Sequence, residues 1–228
     1  MTLDWTIDER VHAGEEHVDP EQVAVYDEKI PFDPSHEIEY MLDHGVTHTD
    51  TVVDFGTGTG ANLPYLRERV GPEGTVIGVD FTREVLDRAR ESVEREGWEN
   101  VHLLRGDVTR PPLGIEPDAI CSSFVVGMLA EPGTEVERWI DALAPGGRIA
   151  LCNAARSRRW YGPVVNAPFR GLVLVSTPGP RRRGFERSAT ELLDERIAEA
   201  HGTLAERCDS VVEEDHAWGI VRISAGTL

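Results

Sequence analysis

The stretch Thr51-Val52-Val53-Asp54-Phe55-Gly56-Thr57-Gly58-Thr59-Gly60-Ala61-Asn62 decides how the chain is read. An apolar run of strand character passes into three alternating glycines, and these pass into a helix. Glycine lacks a Cβ, so such a turn takes positive φ and lets a ligand lie against bare backbone. The helix that follows points free N–H groups and the positive end of its dipole at the same place. The stretch reads as a nucleotide-type binding loop.

Strand and helix alternate at short intervals on both sides of this loop. Upstream, residues 1–34 are polar and acidic, and Pro20, Pro31 and Pro34 interrupt any helix, so they read as an arm. Ser35 is placed to cap a short helix through Gly45, with Ile38, Met41 and Leu42 on one face. Downstream, a helix over 59–70 leads through Gly71-Pro72-Glu73-Gly74 into a strand at 75–80. A second helix from Thr82 to Gly97 buries Val85, Leu86, Ala89 and Val93, and strands follow at 101–104 and 118–124. Thr134-Glu135-Val136-Glu137 reads as a capping box before the stripe Val136, Trp139, Ile140, Leu143. Ala144-Pro145-Gly146-Gly147 turns into a fifth strand at 148–152.

Residues 156–187, with four prolines and many arginines, read as irregular. A second capping box, Ser188-Ala189-Thr190-Glu191, opens a helix carrying Leu193, Ile197, Ala200 and Leu204. Two closing strands at 210–214 and 219–225 form an antiparallel pair. The pattern predicts an α/β fold: a doubly wound, Rossmann-like, seven-stranded sheet, mostly parallel with an antiparallel C-terminal strand. It sits in one domain over 35–228.

Composition narrows the setting. Forty-one acids oppose 23 bases, for a net charge of −18, and the sole lysine is Lys29. A surface this acidic repels itself at low salt and is screened at high salt, which points to a salt-loving source. It argues against a nucleic-acid partner. Cys121, Cys152 and Cys208 are odd in number and far apart, so neither a disulfide framework nor a zinc site is expected. His44 and His48, four apart, read as a surface pair, and no metal is expected. The N-terminus has neither the basic start nor the apolar core of a signal peptide, so a cytoplasmic location is expected. No apolar run reaches membrane-spanning length.

Gly56-Thr57-Gly58-Thr59-Gly60-Ala61 also satisfies the loose dinucleotide pattern. Three acids separate the readings. Asp54, two residues before the first glycine, suits a cationic ligand group and repels a pyrophosphate. Asp80 ends the second strand, where an acid accepts both hydroxyls of a ribose. Gly106-Asp107 ends the third, where an acid accepts the amino group of adenine.

With these residues in order, the chain resembles the class I S-adenosylmethionine-dependent methyltransferases. The resemblance rests on 53–60, Val79-Asp80-Phe81, Gly106-Asp107-Val108, the run 118–124 and Leu143-Ala144-Pro145-Gly146-Gly147-Arg148, across residues 35–153. It implies S-adenosyl-L-methionine as cofactor. By that resemblance Asp54, Phe55, Gly56, Thr57, Gly58 and Gly60 hold the methionine part. Asp80 takes the ribose with Phe81 against the adenine, and Asp107 and Val108 bind the adenine edge. Ser123 and Phe124 border the methyl group.

Strand four ends Ser122-Ser123-Phe124-Val125, not in the Asn/Asp-Pro-Pro-Tyr of the family's nucleic-acid amino methylases. A small-molecule or lipid-like acceptor is therefore expected. The alternatives are a nicotinamide oxidoreductase and a non-catalytic cofactor-binding relative. Tyr26, His36, Tyr161 and His216 are each within reach of the mouth of the sheet, and Asn153 follows the fifth strand near the cleft, but none is singled out as a general base. Residues 156–187 hold eight arginines against Glu186 alone, around Trp160-Tyr161 and an apolar run at 169–175. One reading makes them a substrate-side cap in which arginines, including Arg181, Arg182 and Arg183, receive an anionic group. Pairing with the acidic surface of the same chain or of a second subunit is the reading the composition favours, and a homodimer is the assembly to test.

Overall fold

The computed structural model describes residues 35–48, 50–111, 113–176 and 189–228. The expected arm at 1–34 and the second half of the expected cap, Arg181 to Arg183 included, lie outside the described residues.

The strands are β1 (Thr51–Phe55), β2 (Thr75–Asp80), β3 (Val101–Arg105), β4 (Ala119–Ser123), β5 (Arg148–Ala154), β6 (Ser210–His216) and β7 (Val221–Thr227). They form one sheet in the order β3-β2-β1-β4-β5-β7-β6. Strands β1 to β5 are parallel, and β7 runs antiparallel to both β5 and β6. The chain leaves β1 to one side through β2 and β3 and returns to the other side through β4. That reversal at β1 and β4 opens a crevice at the carboxyl ends of these strands, the place where open α/β sheets bind ligands.

The helices are α1 (Ser35–Gly45), α2 (Leu63–Val70), α3 (Arg83–Glu96), α4 (Pro132–Asp141), α5 (Gly162–Ser176) and α6 (Ala189–Arg207). One sheet face is covered by α1 and α2, through Ile38, Met41, Leu42, Leu63, Leu66 and Val70. The other is covered by α4 and α6, through Val136, Trp139, Ile140, Ile197, Ala200 and Leu204. All three cysteines are buried free thiols.

Three local expectations are corrected. Helix α2 begins at Leu63, because residues 56–62 are spent on the loop. Helix α4 begins at Pro132, with Glu131 before it, so Thr134 lies in the first turn and is not the cap. A proline in the first turn loses no hydrogen bond, since that N–H has no intrahelical partner anyway. Residues 162–176 are helical, not irregular, even with Pro168 inside the helix. Phe169 and Val173, one turn apart, are both buried. Tertiary burial of such a stripe outweighs local propensity.

Candidate functional site

The glycine loop takes its shape from three positive φ values, +73° at Gly56, +55° at Gly58 and +88° at Gly60. A Cβ at Gly56 would lie 2.2 Å from Val125 Cγ2, and one at Gly60 would lie 2.8 Å from Leu63 Cδ1. Protein packing thus demands both glycines. At Gly58 the nearest atom to a Cβ is a loop carbonyl at 4.0 Å, so this residue turns its bare backbone to open space. The loop is anchored where Gly56 N and Thr57 N both donate to the Val79 carbonyl, at 2.8 and 3.1 Å.

Below the loop the three acids differ sharply. Asp54 is fully buried, and burial pushes its carboxyl up to about 6, against the hydrogen bonds that favour the charged form, that from Asn62 foremost. Asn62 Nδ2 donates to Asp54 Oδ1 at 2.9 Å and to Ser123 Oγ at 2.6 Å. One amide thereby joins the floor of the loop to the end of β4. Asp54 Oδ2 and Asn62 Oδ1 are buried without a well-aligned partner. Asp80 accepts from Gly58 N through Oδ2 and from Thr82 N through Oδ1, each at 2.9 Å. Burial raises its carboxyl while those N–H donors pull it down. Asp107 is half-buried, and its Oδ1 accepts from Thr109 N and Thr109 Oγ1 at 2.9 Å.

The structure gathers Gly58, Asp54, Asp80 and Ser123 around one loop. Phe81, half-buried, follows Asp80, and its carbonyl accepts from Arg105 Nε at 3.0 Å. Phe124, directly after β4, holds a left-handed φ of 61°, uncommon for an aromatic residue. Two residues expected at the site turn their side chains into the core. Phe55 is fully buried, its ring 5.0 Å from that of Trp139. Val108 is buried too, and its carbonyl accepts from Trp139 Nε1 at 2.8 Å. Both side chains are core, so only backbone atoms of these residues remain for a ligand. Asn62 was missed as a site residue, although it ends the decisive stretch. Its signal was an amide at the mouth of a helix, which reads locally as a cap.

The remaining candidates near the mouth of the sheet each have local partners among the described residues. Asn153 is buried, with Nδ2 3.3 Å from His201 Nε2, and His201 Nδ1 lies 2.6 Å from Ser224 Oγ. His36 and His216 pack edge-on between α1 and β6, their rings 5.8 Å apart. Tyr161 packs edge-on against Trp160. Tyr26 lies outside the described residues.

A Methyltransferase domain family matches residues 52–147, a span containing the glycine loop, Asp80, Asp107 and the end of β4. That span, residues 52–147, is similar to methyltransferase domains, in line with the resemblance carried by the sequence. S-adenosyl-L-methionine is accordingly the family's cofactor, and the nicotinamide alternative is set aside. Arsenite methyltransferase of Halobacterium salinarum is 34% identical over 109 residues, covering 47% of this chain and 28% of that protein. Phosphatidylethanolamine N-methyltransferase of Cereibacter sphaeroides is 36% identical over 104 residues, covering 45% of this chain and 49% of that protein. The chain thus spans about half or less of the length of these two relatives. A SAM-dependent methyltransferase structure from Aquifex aeolicus superposes with a TM-score of 0.59 at 23% identity, over 92% of this chain and 98% of that one, which shows the shared fold.

Proposed function

We propose that this chain moves the methyl group of S-adenosylmethionine to a small-molecule or lipid-like acceptor by in-line displacement. The observation that carries the reading is the Asn62 amide, which ties buried Asp54 to Ser123 beneath the open backbone of Gly58. The half-satisfied polar atoms there, Asp54 Oδ2 and Asn62 Oδ1, fit the polar end of a methionine moiety. Asp54 supplies the charge opposite its ammonium, and Asp80 accepts the ribose hydroxyls on the lone pairs its two N–H donors leave free. Phe81 lies against the adenine, and Asp107 meets its amino edge. Ser123 and Phe124 border the reacting end.

When bound, the cofactor supplies an already activated sulfonium methyl. The protein's share is then to align the acceptor and exclude water, and good alignment alone lowers a barrier by up to roughly 7–11 kcal/mol. No general base is assigned.

For the acceptor, the support is the segment after β5, one strand along from Ser123. A cavity of about 380 Å³ opens there, where Arg156, Arg158, Ser157 and Asn166 face the acids Glu191, Asp194 and Glu195 of α6. Arg156 is held by Asp194, while Arg158 has no ion pair among the described residues and is free to take an anionic group. The test incubates the protein with methyl-labelled S-adenosylmethionine and a cell extract, then separates lipids from aqueous small molecules. Label in either fraction, lost in Arg158→Ser with cofactor binding intact, is the expected result. Cofactor binding with no transfer to any fraction would leave a non-catalytic relative. Transfer unaffected by Arg158→Ser would remove the anion role.

A further inference from the structure

We infer that the rim built from the β5–α5 connection, the first turns of α5 and the β6–β7 turn docks on an anionic lipid surface. Three large apolar side chains stand in water there. Trp160 is 91% exposed, Val164 77% and Trp218 76%. An indole left this open forgoes the burial that makes tryptophan valuable, and tryptophan is enriched where one side of a structure meets a membrane interface.

The display is built into the fold. Ala217 and Trp218 hold left-handed φ values of 47° and 57°, and neither is glycine. Such strain persists only where the surroundings impose it, and it concentrates at functional positions. Here Ser157 imposes it, because Ser157 Oγ donates to the Trp218 carbonyl at 2.8 Å. Ser157 also binds α5. Its N–H donates to Asn166 Oδ1 at 2.7 Å, and Asn166 Nδ2 donates back to its carbonyl at 3.0 Å. Gly162 N closes the turn onto the Arg159 carbonyl at 2.8 Å. Trp160, Val164 and Trp218 are therefore carried on one braced rim.

Charge selects the occupant. Residues 155–176 contain four arginines and no acid, in a chain of net charge −18. Arg158, Arg159 and Arg170 are exposed and make no ion pair among the described residues. The acids Glu213 to Asp215 mark the flank, where they share a cavity of about 520 Å³ with Arg158, Arg159 and Arg222. Exposed indoles among arginines match the chemistry of an interfacial anchor, in which apolar groups enter the headgroup boundary and cations meet anionic lipid. A second copy of this chain is the other occupant, and the test below separates it from a lipid surface. The rim lies at the carboxyl edge of the sheet, as the glycine loop does. If the acceptor is lipid-borne, docking would turn the cleft toward it; the docking itself does not rest on that reading.

The test is co-sedimentation with vesicles of phosphatidylcholine alone and of phosphatidylcholine mixed with phosphatidylglycerol. The wild-type chain is expected to pellet with the mixed vesicles and to stay largely in solution with the neutral ones. The double variant Trp160→Ser/Trp218→Ser should bind the mixed vesicles about tenfold or more weakly, and Arg159→Ser/Arg170→Ser should reduce the preference for them. Unchanged circular dichroism and cofactor binding certify the variants as folded. Wild-type protein that stays in solution with both vesicles would overturn the inference, as would binding that the tryptophan variant retains. A dimer in light scattering that the same variant dissolves would also overturn it, by naming a second copy as the occupant.

Discussion

Replacing Asp54 by asparagine should make the empty protein more stable and the cofactor complex weaker. Asp54 is fully buried, and its carboxyl rises from 3.8 to about 6, chiefly through burial. A raised carboxyl binds its proton more tightly folded than unfolded. Its ionisation therefore opposes folding, and the stability it contributes as a neutral acid is lost as pH climbs through about 6. The gap is roughly two pH units at about 1.4 kcal/mol each, so the ionised group costs the fold about 3 kcal/mol at pH 7. In Asp54→Asn the side chain carries no charge and still offers an oxygen to Asn62 Nδ2. The unfolding midpoint at pH 7 should rise by several degrees, at about 2–4 °C per kcal/mol for a chain of this size. The gain should shrink toward pH 4, where wild-type Asp54 is also neutral. S-adenosylmethionine affinity, measured by calorimetry at about pH 7.5, should fall at least about tenfold, the loss of a charge-assisted contact. A variant no more stable than wild type at pH 7 would refute the burial argument. Undiminished cofactor affinity would refute the charge argument.

Asp80→Ala should weaken S-adenosylmethionine binding by about 1.5–3 kcal/mol, the worth of hydrogen bonds to a charged group. Asp80 also holds Gly58 N and Thr82 N, so amide exchange at Gly58 should quicken in the same variant, and unchanged affinity with an intact fold would sink the ribose role. His201 is pushed down to about 3 by burial and then by Arg222 and Arg158. The unfolded chain therefore takes up this proton first, and stability is lost as pH falls from about 6.5 toward 3, by up to about 1.4 kcal/mol per unit. Denaturant titrations from pH 7 to pH 4 should show a shallower decline in His201→Gln, and parallel slopes would contradict the buried neutral ring. Molar KCl should raise the thermal midpoint of a chain with 41 acids and 23 bases, since the screening length falls to roughly 3 Å. A flat or falling midpoint would remove the salt-loving reading.

Much of the fold was legible because its signals are local. The alternation of apolar runs with 3.6-period stripes placed each strand of the sheet to within a few residues. The glycine spacing marked a turn that takes positive φ at three positions, and the acids at 54, 80 and 107 fell at strand ends because parallel strands present their carboxyl ends on one edge. What the sequence alone did not decide depends on partners far along the chain. Asn62 looks like a helix cap until β4 brings Ser123, 61 residues away, to 2.6 Å. Phe55 and Val108 sit within binding motifs, yet the Phe55 ring packs on Trp139 and the Val108 carbonyl accepts from its indole. Asn153 ends a strand near the cleft, but α6 brings His201 against it and turns it inward. Prolines argued against a helix at 162–176, and the burial of Phe169 and Val173 overrode them. Periodicity reports which backbone a segment prefers. Which side chains meet is set by how the segments pack, and that is a property of the tertiary structure.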